Sequence, residues 1–296
     1  MDIRVNPNVL PDLLAGLNQV QQQLSQSDTE LASNRTINQP SDNPAGTSAL
    51  ILNHAAQAQT DTFQQNISNL QSRMQTADSS LSSVVTVLNQ AISLGVEAGN
   101  GTVSAADQQA ISQQLSGIQQ QLVSIANTSV GGTYLFSGTL VETVPFTVNA
   151  APGGGVTYNG NSGVTSVEIS NGQSVNTNVP GDQLFLNPAG SVFGAINQLI
   201  QAVNTNTGIS SAVTALGQAS SQFNTERLTY DTSLTQLQST GTFLSSQQVQ
   251  LSAQEANIDG ANLAAVATQF SQAQIAYTAL INAENRILNL PTIFNP

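Results

Sequence analysis

Apolar residues recur at sevenfold spacing along most of this chain, and that spacing is the first guide to its fold. Near the start, Leu10, Leu17, Leu24 and Leu31 fall seven apart, with Leu13 and Val20 three residues after the first two. A second run, Phe63, Ile67, Leu70, Met74, Ala77, Leu81, Val84, Leu88 and Ala91, alternates steps of four and three without a break. A shorter third run is Ile111, Leu115, Ile118, Leu122 and Ile125. Later, Ile209, Leu216, Phe223, Tyr230, Leu237, Leu244, Leu251 and Ile258 keep steps of seven throughout. The last run is Leu263, Val266, Phe270, Ala273, Tyr277, Leu280 and Ile287. Alternating steps of three and four hold one face of an α-helix against a partner. Runs this long predict rods: fifty helical residues span roughly 75 Å at 1.5 Å per residue.

Two interruptions isolate the outermost helices. Between the first and second runs lies Asn34-Arg35-Thr36-Ile37-Asn38-Gln39-Pro40-Ser41-Asp42-Asn43-Pro44. Proline cannot continue a helix, and Pro44 suits a first helical position behind a capping Asn43. In the second half the stripe steps by five from Ile258 to Leu263, around Asp259-Gly260. Each break predicts one terminal helix of roughly 26 to 30 residues at the spacing above. Ser104 followed by Asp107 reads as the cap of the third helix. From about Gly131 to Pro188 the helical period is lost. Val156-Thr157-Tyr158 and Val167-Glu168-Ile169 read as strands, and Asn159-Gly160, Asn171-Gly172 and Pro180-Gly181 as turns. Helical spacing returns at Val192, Phe193, Ile196, Leu199, Ile200 and Val203.

The expected fold is mainly α, with long antiparallel coiled-coil-like helical rods and an inserted β-rich domain. Three parts follow: a terminal helical coiled-coil domain of residues 1–35 plus 262–296, an inner helical rod domain of 36–130 plus 190–261, and a β-rich outer domain of 131–189. Two isolated terminal helices make a thin pair that buries little surface. Bundles of about 40 to 70 residues usually need staples or partners. The sequence therefore predicts a self-assembly interface at Leu10, Leu13, Leu17, Val20, Leu24, Leu31, Leu263, Val266, Phe270, Tyr277, Leu280 and Ile287.

Composition narrows the function. Only 7% of the 296 residues are charged, with five arginines, no lysine and 17 acids, for a net charge of −12. Such a chain has no electrostatic footprint for nucleic acid or an anionic membrane. Gln, Ser, Asn and Thr replace the charge, which suits a protein packed among copies of itself. The chain has no Cys, which removes thiol catalysis, disulfides and Cys-based zinc sites. His54 is the only histidine, and no Gly-x-Ser-x-Gly elbow accompanies it. Gly153-Gly154-Gly155 lacks the lysine of a phosphate loop. No cofactor, metal site or catalytic set is expected. The sequons at Asn34, Asn66 and Asn127 are chance matches in a chain this rich in Asn, Ser and Thr. A ligand pocket formed by Tyr134, Phe136, Tyr158 and Glu168 is the competing reading, against simple core packing of the aromatics. The start, Met1 to Pro7, lacks the basic and apolar regions of a cleavable signal peptide, and no apolar run reaches the length of a membrane span.

The linker and two further segments resemble the bacterial flagellin superfamily. Gln23-Leu24-Ser25 leading to Ile37 through Gly46 is similar to the exit from that family's first helix, with Arg35, Asn38, Pro40, Ser41, Asp42, Asn43, Pro44 and Gly46 as the linker motif. Proline before Ser-Asp resembles the hook-filament junction branch more than flagellin itself. Gly132-Thr133-Tyr134-Leu135-Phe136-Ser137-Gly138-Thr139 resembles the way into the β-domain, with Tyr134, Leu135, Phe136 and Gly138 at its centre. Gln272 to Ala279 and Ile287 to Leu290 resemble the closing helix. The family usually carries Gly and two basic residues where this chain has Asn34, Arg35 and Thr36, and Pro291 and Pro296 alter the leucine-rich tail. The resemblance implies a flagellin-like hairpin with its N- and C-terminal helices paired. It also implies a ring-forming, non-enzymatic adaptor on the extracellular flagellum, exported without a cleaved signal peptide. Its partners would be further copies of the chain, a hook-side junction protein, flagellin or the filament cap, and a flagellar export chaperone, with no nucleic acid or membrane. The alternative within the family is flagellin, the bulk filament subunit.

Overall fold

The computed structural model describes residues 9–149, 155–188 and 190–288, with side chains from 11 to 286. The side chains of Leu10 and Ile287, and Arg4, Gly153, Gly154, Pro291 and Pro296, lie outside the described residues. Among the described residues seven helices and six strands follow in the order α1 (Val9–Ser33), α2 (Pro44–Ala98), α3 (Ala105–Ala126), β1 (Ser129–Val130), β2 (Thr133–Tyr134), β3 (Phe146–Val148), β4 (Val156–Tyr158), β5 (Ser166–Ser170), β6 (Gln173–Asn176), α4 (Gly181–Phe185), α5 (Val192–Thr205), α6 (Ile209–Asp259) and α7 (Leu263–Leu288). The mainly α fold with a small antiparallel β-insert is the one expected.

The chain divides into two compact units, Met1–Gln59 with Gln247–Pro296, and Thr60–Ser246. The division falls inside α2 and α6. Those helices are 55 and 51 residues long, about 80 Å each at 1.5 Å per residue.

In the Thr60–Ser246 unit the sevenfold stripes are the core. All nine stripe positions of α2 from Phe63 to Ala91 are at most 8% exposed, and Leu81, Leu88 and Ala91 are sealed. Ile209, Leu216, Phe223, Tyr230, Leu237 and Leu244 of α6 join them, with Leu115 and Leu122 of α3 and Ile196 and Leu199 of α5. The two long helices run antiparallel: Ile67 meets Gly241, Asp78 binds Arg227 through Nε at 2.6 Å, and Leu199 and Val213 crowd Gly95. On length and composition alone α2 could cross a membrane, an outcome its stepwise apolar spacing did not predict. Its stripe is instead buried in this core.

Local signals explain the element ends. Ser104 caps α3 by accepting the Asp107 N–H at 3.2 Å, and its hydroxyl donates back to the Asp107 carboxylate at 2.6 Å. Asn43 caps α2 by accepting the Gly46 N–H at 2.9 Å, directly before Pro44. Asn171-Gly172 turns the β5–β6 hairpin, with Gly172 at φ +70°. Two expected turns have other roles. Asn159-Gly160 ends β4, where an added Cβ would meet the Ser137 carbonyl at 2.7 Å. Pro180-Gly181 opens the short helix α4, because the Gly181 N–H is held by the Phe136 carbonyl at 2.8 Å. In the insert Phe136 and Phe146 pack on Phe185, Phe146 and Phe185 on Phe193, and Phe185 on Phe223, with ring centroids 5.2 to 5.6 Å apart.

Candidate functional site

The residues predicted for assembly lie on α1 and α7, which pair antiparallel. An added Cβ on Gly16 would lie 3.9 Å from the Leu280 methyls, while at the opposite end Ala261 N–H reaches the Asn34 carbonyl at 3.2 Å. The stripe lines this pair, but the pair does not bury it. Leu13, Leu17, Val20, Leu24 and Leu31 are half-buried, as are Phe270, Tyr277 and Leu280. Of the predicted positions with described side chains only Val266, at 5%, is buried, and Leu263 is 46% exposed. Leu14 and Ile275, outside the predicted set, are 45% and 71% exposed. Two helices can cover only one side of each other, so most of these apolar knobs keep part of their surface in water. The inner stripe of α2 and α6 is wrapped by further helices and closes.

The two helix breaks meet in an elbow. Arg35 forms an isolated antiparallel bridge with Gly260. Thr36 N–H donates to the Asp259 carbonyl at 2.7 Å, and Ile37 N–H to the Asp259 Oδ1 at 2.7 Å. Arg35 Nε reaches Asp259 Oδ2 at 3.3 Å, and its Nη2 reaches Glu255 Oε1 at 3.2 Å. Asp259 is 3% exposed, so its charge is neutralised by these donors rather than by water. Asn34 takes the left-handed conformation at φ +57°, which Asn tolerates. Glu255 also binds His54 at 3.0 Å and Gln57 at 2.8 Å. Those two hydrogen bonds, with the nearby Arg35 charge, hold the Glu255 carboxyl below its usual range.

The linker motif builds the other side of this elbow. Asp42 Oδ2 accepts the backbone N–H groups of Asn38 and Gln39 at 3.0 and 2.8 Å, and the Asn38 side chain donates to the Arg35 carbonyl at 3.0 Å. Pro40 and Ser41 are exposed at its tip. Ile37 is buried over Gly46, where an added Cβ would stand 2.5 Å from its Cδ1. That approach explains why glycine follows the capping turn. Asp259, Glu255, His54 and Ile37 complete this site and were not among its predicted residues. The phase change at Asp259-Gly260 marked a break but not its partner, 222 residues away in the chain.

The segment leading into the β-domain is a packing junction. Leu135 and Phe136 are buried, Tyr134 is half-buried in β2, and Gly138 adopts φ +73° against the Asn161 carbonyl. Tyr158 hydroxyl lies 3.0 Å from the Phe136 carbonyl and 2.9 Å from the Asn161 carbonyl. Glu168 accepts the Gly172 N–H at 3.0 Å. Phe136 and Tyr158 thus meet in one packing contact, while Glu168 holds the β5–β6 turn. A cleft of about 700 Å³ beside α1 is lined by amides, hydroxyls and the carboxylates of Glu30 and Asp42, with no nucleophile–base pair.

Residues 9–140 match the family described as the bacterial flagellin N-terminal helical region. The chain is similar to flagellar hook-associated protein 3 of Salmonella typhimurium, 28% identical over 173 residues that cover 58% of this chain and 53% of that protein. It is also similar to flagellin A of Vibrio anguillarum, 31% identical over 158 residues covering 52% and 41%. The matched stretch thus spans about half the length of the first of these relatives. The crystal structure of flagellar hook-associated protein 3 from Legionella pneumophila shares the fold at TM-score 0.64 and 16% identity, covering 71% of this chain and 98% of that one.

Proposed function

Because the chain belongs to the bacterial flagellin superfamily, we propose that it is a structural part of the extracellular flagellum, the adaptor that joins hook to filament. The observation that carries this reading is the unfinished burial of the α1–α7 pair, in contrast to the closed core of the Thr60–Ser246 unit. A helix pair whose apolar stripe is only partly covered gains by packing among copies, at about 25 cal/mol per Å² of apolar surface removed. On this reading residues 1–35 and 262–296 form the assembling layer, the inner helices the next, and residues 131–189 the outer one. The copies close into a ring between a hook-side junction protein and flagellin or the filament cap. The chain reaches that place unfolded through the flagellar secretion channel, with an export chaperone holding its C-terminal helix in the cytoplasm. The role is mechanical and needs no cofactor.

Deleting the gene tests the reading. Hooks without filaments, with flagellin released to the medium, are expected, and normal filaments on the deletion strain refute it. The match to flagellin A supports a second reading, the bulk filament subunit. Copy number separates the two: thousands per filament for flagellin, about one ring for an adaptor.

A further inference from the structure

The unit formed by Met1–Gln59 and Gln247–Pro296 carries exposed aliphatic side chains away from the α1–α7 pair. On α2, Ile51 and Leu52 are 63% and 72% exposed, and on α6, Val249 is 70% exposed. Helical geometry places them opposite the sides on which α2 and α6 meet. Leu50 and Asn53 are buried, Asn53 donates to the Leu251 carbonyl at 3.1 Å, and Gln57 reaches Glu255. At 100° per residue, Ile51 and Leu52 centre on the far side of α2 from that contact. Val249 likewise lies on the far side of α6 from Leu251 and Glu255, flanked by exposed Ala253 and Ala256.

Both faces are free of charge. No Asp, Glu, Lys or Arg occurs from Asn43 to Thr60 or from Thr232 to Gln254. Copies of a chain with net charge −12 repel one another, and repulsion is least where neither surface carries a carboxylate. An uncharged face can also be dried without stranding an unpaired charge. One face presents large branched knobs and the other a single valine among alanines, so they complement each other better than either complements itself.

We propose that neighbouring copies of this chain contact each other head to tail, with Ile51 and Leu52 of one seated against Val249, Ala253 and Ala256 of the next. This deepens the junction reading and rests on its claim that copies associate. Because the two faces differ, the contact is heterologous, the type that closes into a ring when the rotation allows.

The natural chain has no cysteine, so engineered thiols report the contact without background. Purified Leu52→Cys and Val249→Cys chains, mixed at high concentration and oxidised, are expected to yield a mixed disulfide dimer. Each alone is expected to yield far less. Both positions are exposed, so circular dichroism is expected to match the parent. A lack of mixed dimer, or a dominant dimer of Leu52→Cys with itself, overturns the proposal. The doubly substituted chain, expressed in the deletion strain and oxidised on isolated flagella, is expected to give a ladder. Absence of the chain from those flagella counts against the junction reading, while the purified pair still decides the contact.

Discussion

The carboxylate of Asp259 accepts the backbone N–H of Ile37 at 2.7 Å, joining the two helix breaks across 222 residues of chain. This bond and the neighbouring Thr36 and Ala261 bonds make the exits of α1 and α6 one joint. Replacing Asp259 by Ala leaves the Ile37 N–H without its acceptor and the Arg35 guanidinium with only the Glu255 carboxylate. The expected cost is about 1.5 to 3 kcal/mol, the range for hydrogen bonds to a charged group, read by urea unfolding. Arg35→Gln is expected to cost less, since Arg35 is about half exposed.

Gly46 tests the packing of the same joint. Gly46→Ala drives a methyl against Ile37 and is expected to destabilise the chain by about 1 to 3 kcal/mol, the usual range for overpacking. Adding Ile37→Val, which shortens the side chain, is expected to recover part of that loss. A double-mutant cycle on the melting transition gives the coupling.

How much of this was legible beforehand differs by element. The stripe from Phe63 to Ala91 could be read directly, because burial follows a period that the sequence displays. The caps at Asn43 and Ser104 were equally plain, being local. The elbow was not, because nothing near Asp259 indicates that its carboxylate binds a residue of the first linker. Pro180-Gly181 was misread as a turn because its outcome depends on the Phe136 carbonyl, 45 residues earlier in the numbering. The stripes of α1 and α7 could be read, but their periodicity could not tell how much of each knob stays wet.

The contrast between stripes predicts different responses to truncation. Leu81→Ala, at a sealed position, is expected to cost about 2 to 5 kcal/mol. Leu17→Ala, at a half-buried one, is expected to cost well under half of that. Leu17→Asp or Leu280→Asp is expected to leave the inner helices folded by circular dichroism while abolishing assembly, because the charge stays hydrated in the single copy but not among packed ones. Removing residues 1–35 or 262–296 is expected to act the same way.

Alkaline pH probes the inner unit. Burial pushes the Tyr230 hydroxyl up to about 12, and burial with the nearby Asp182 charge does the same for Tyr158. Both folded values lie above the unfolded value near 10, so the neutral tyrosines favour the folded state fully below that pH. Their contribution is lost as pH rises from about 10 through about 12. The melting temperature of the parent is therefore expected to fall steeply over that window, and that of Tyr230→Phe less steeply, with tyrosinate absorbance as the monitor.

Amide hydrogen exchange on a dilute single copy tests the central claim most directly. The α1 and α7 amides are expected to exchange at least about 100-fold faster than those of the inner stripe, and to slow on assembly. Equal protection of α1, α7 and the core in the isolated chain would contradict the account.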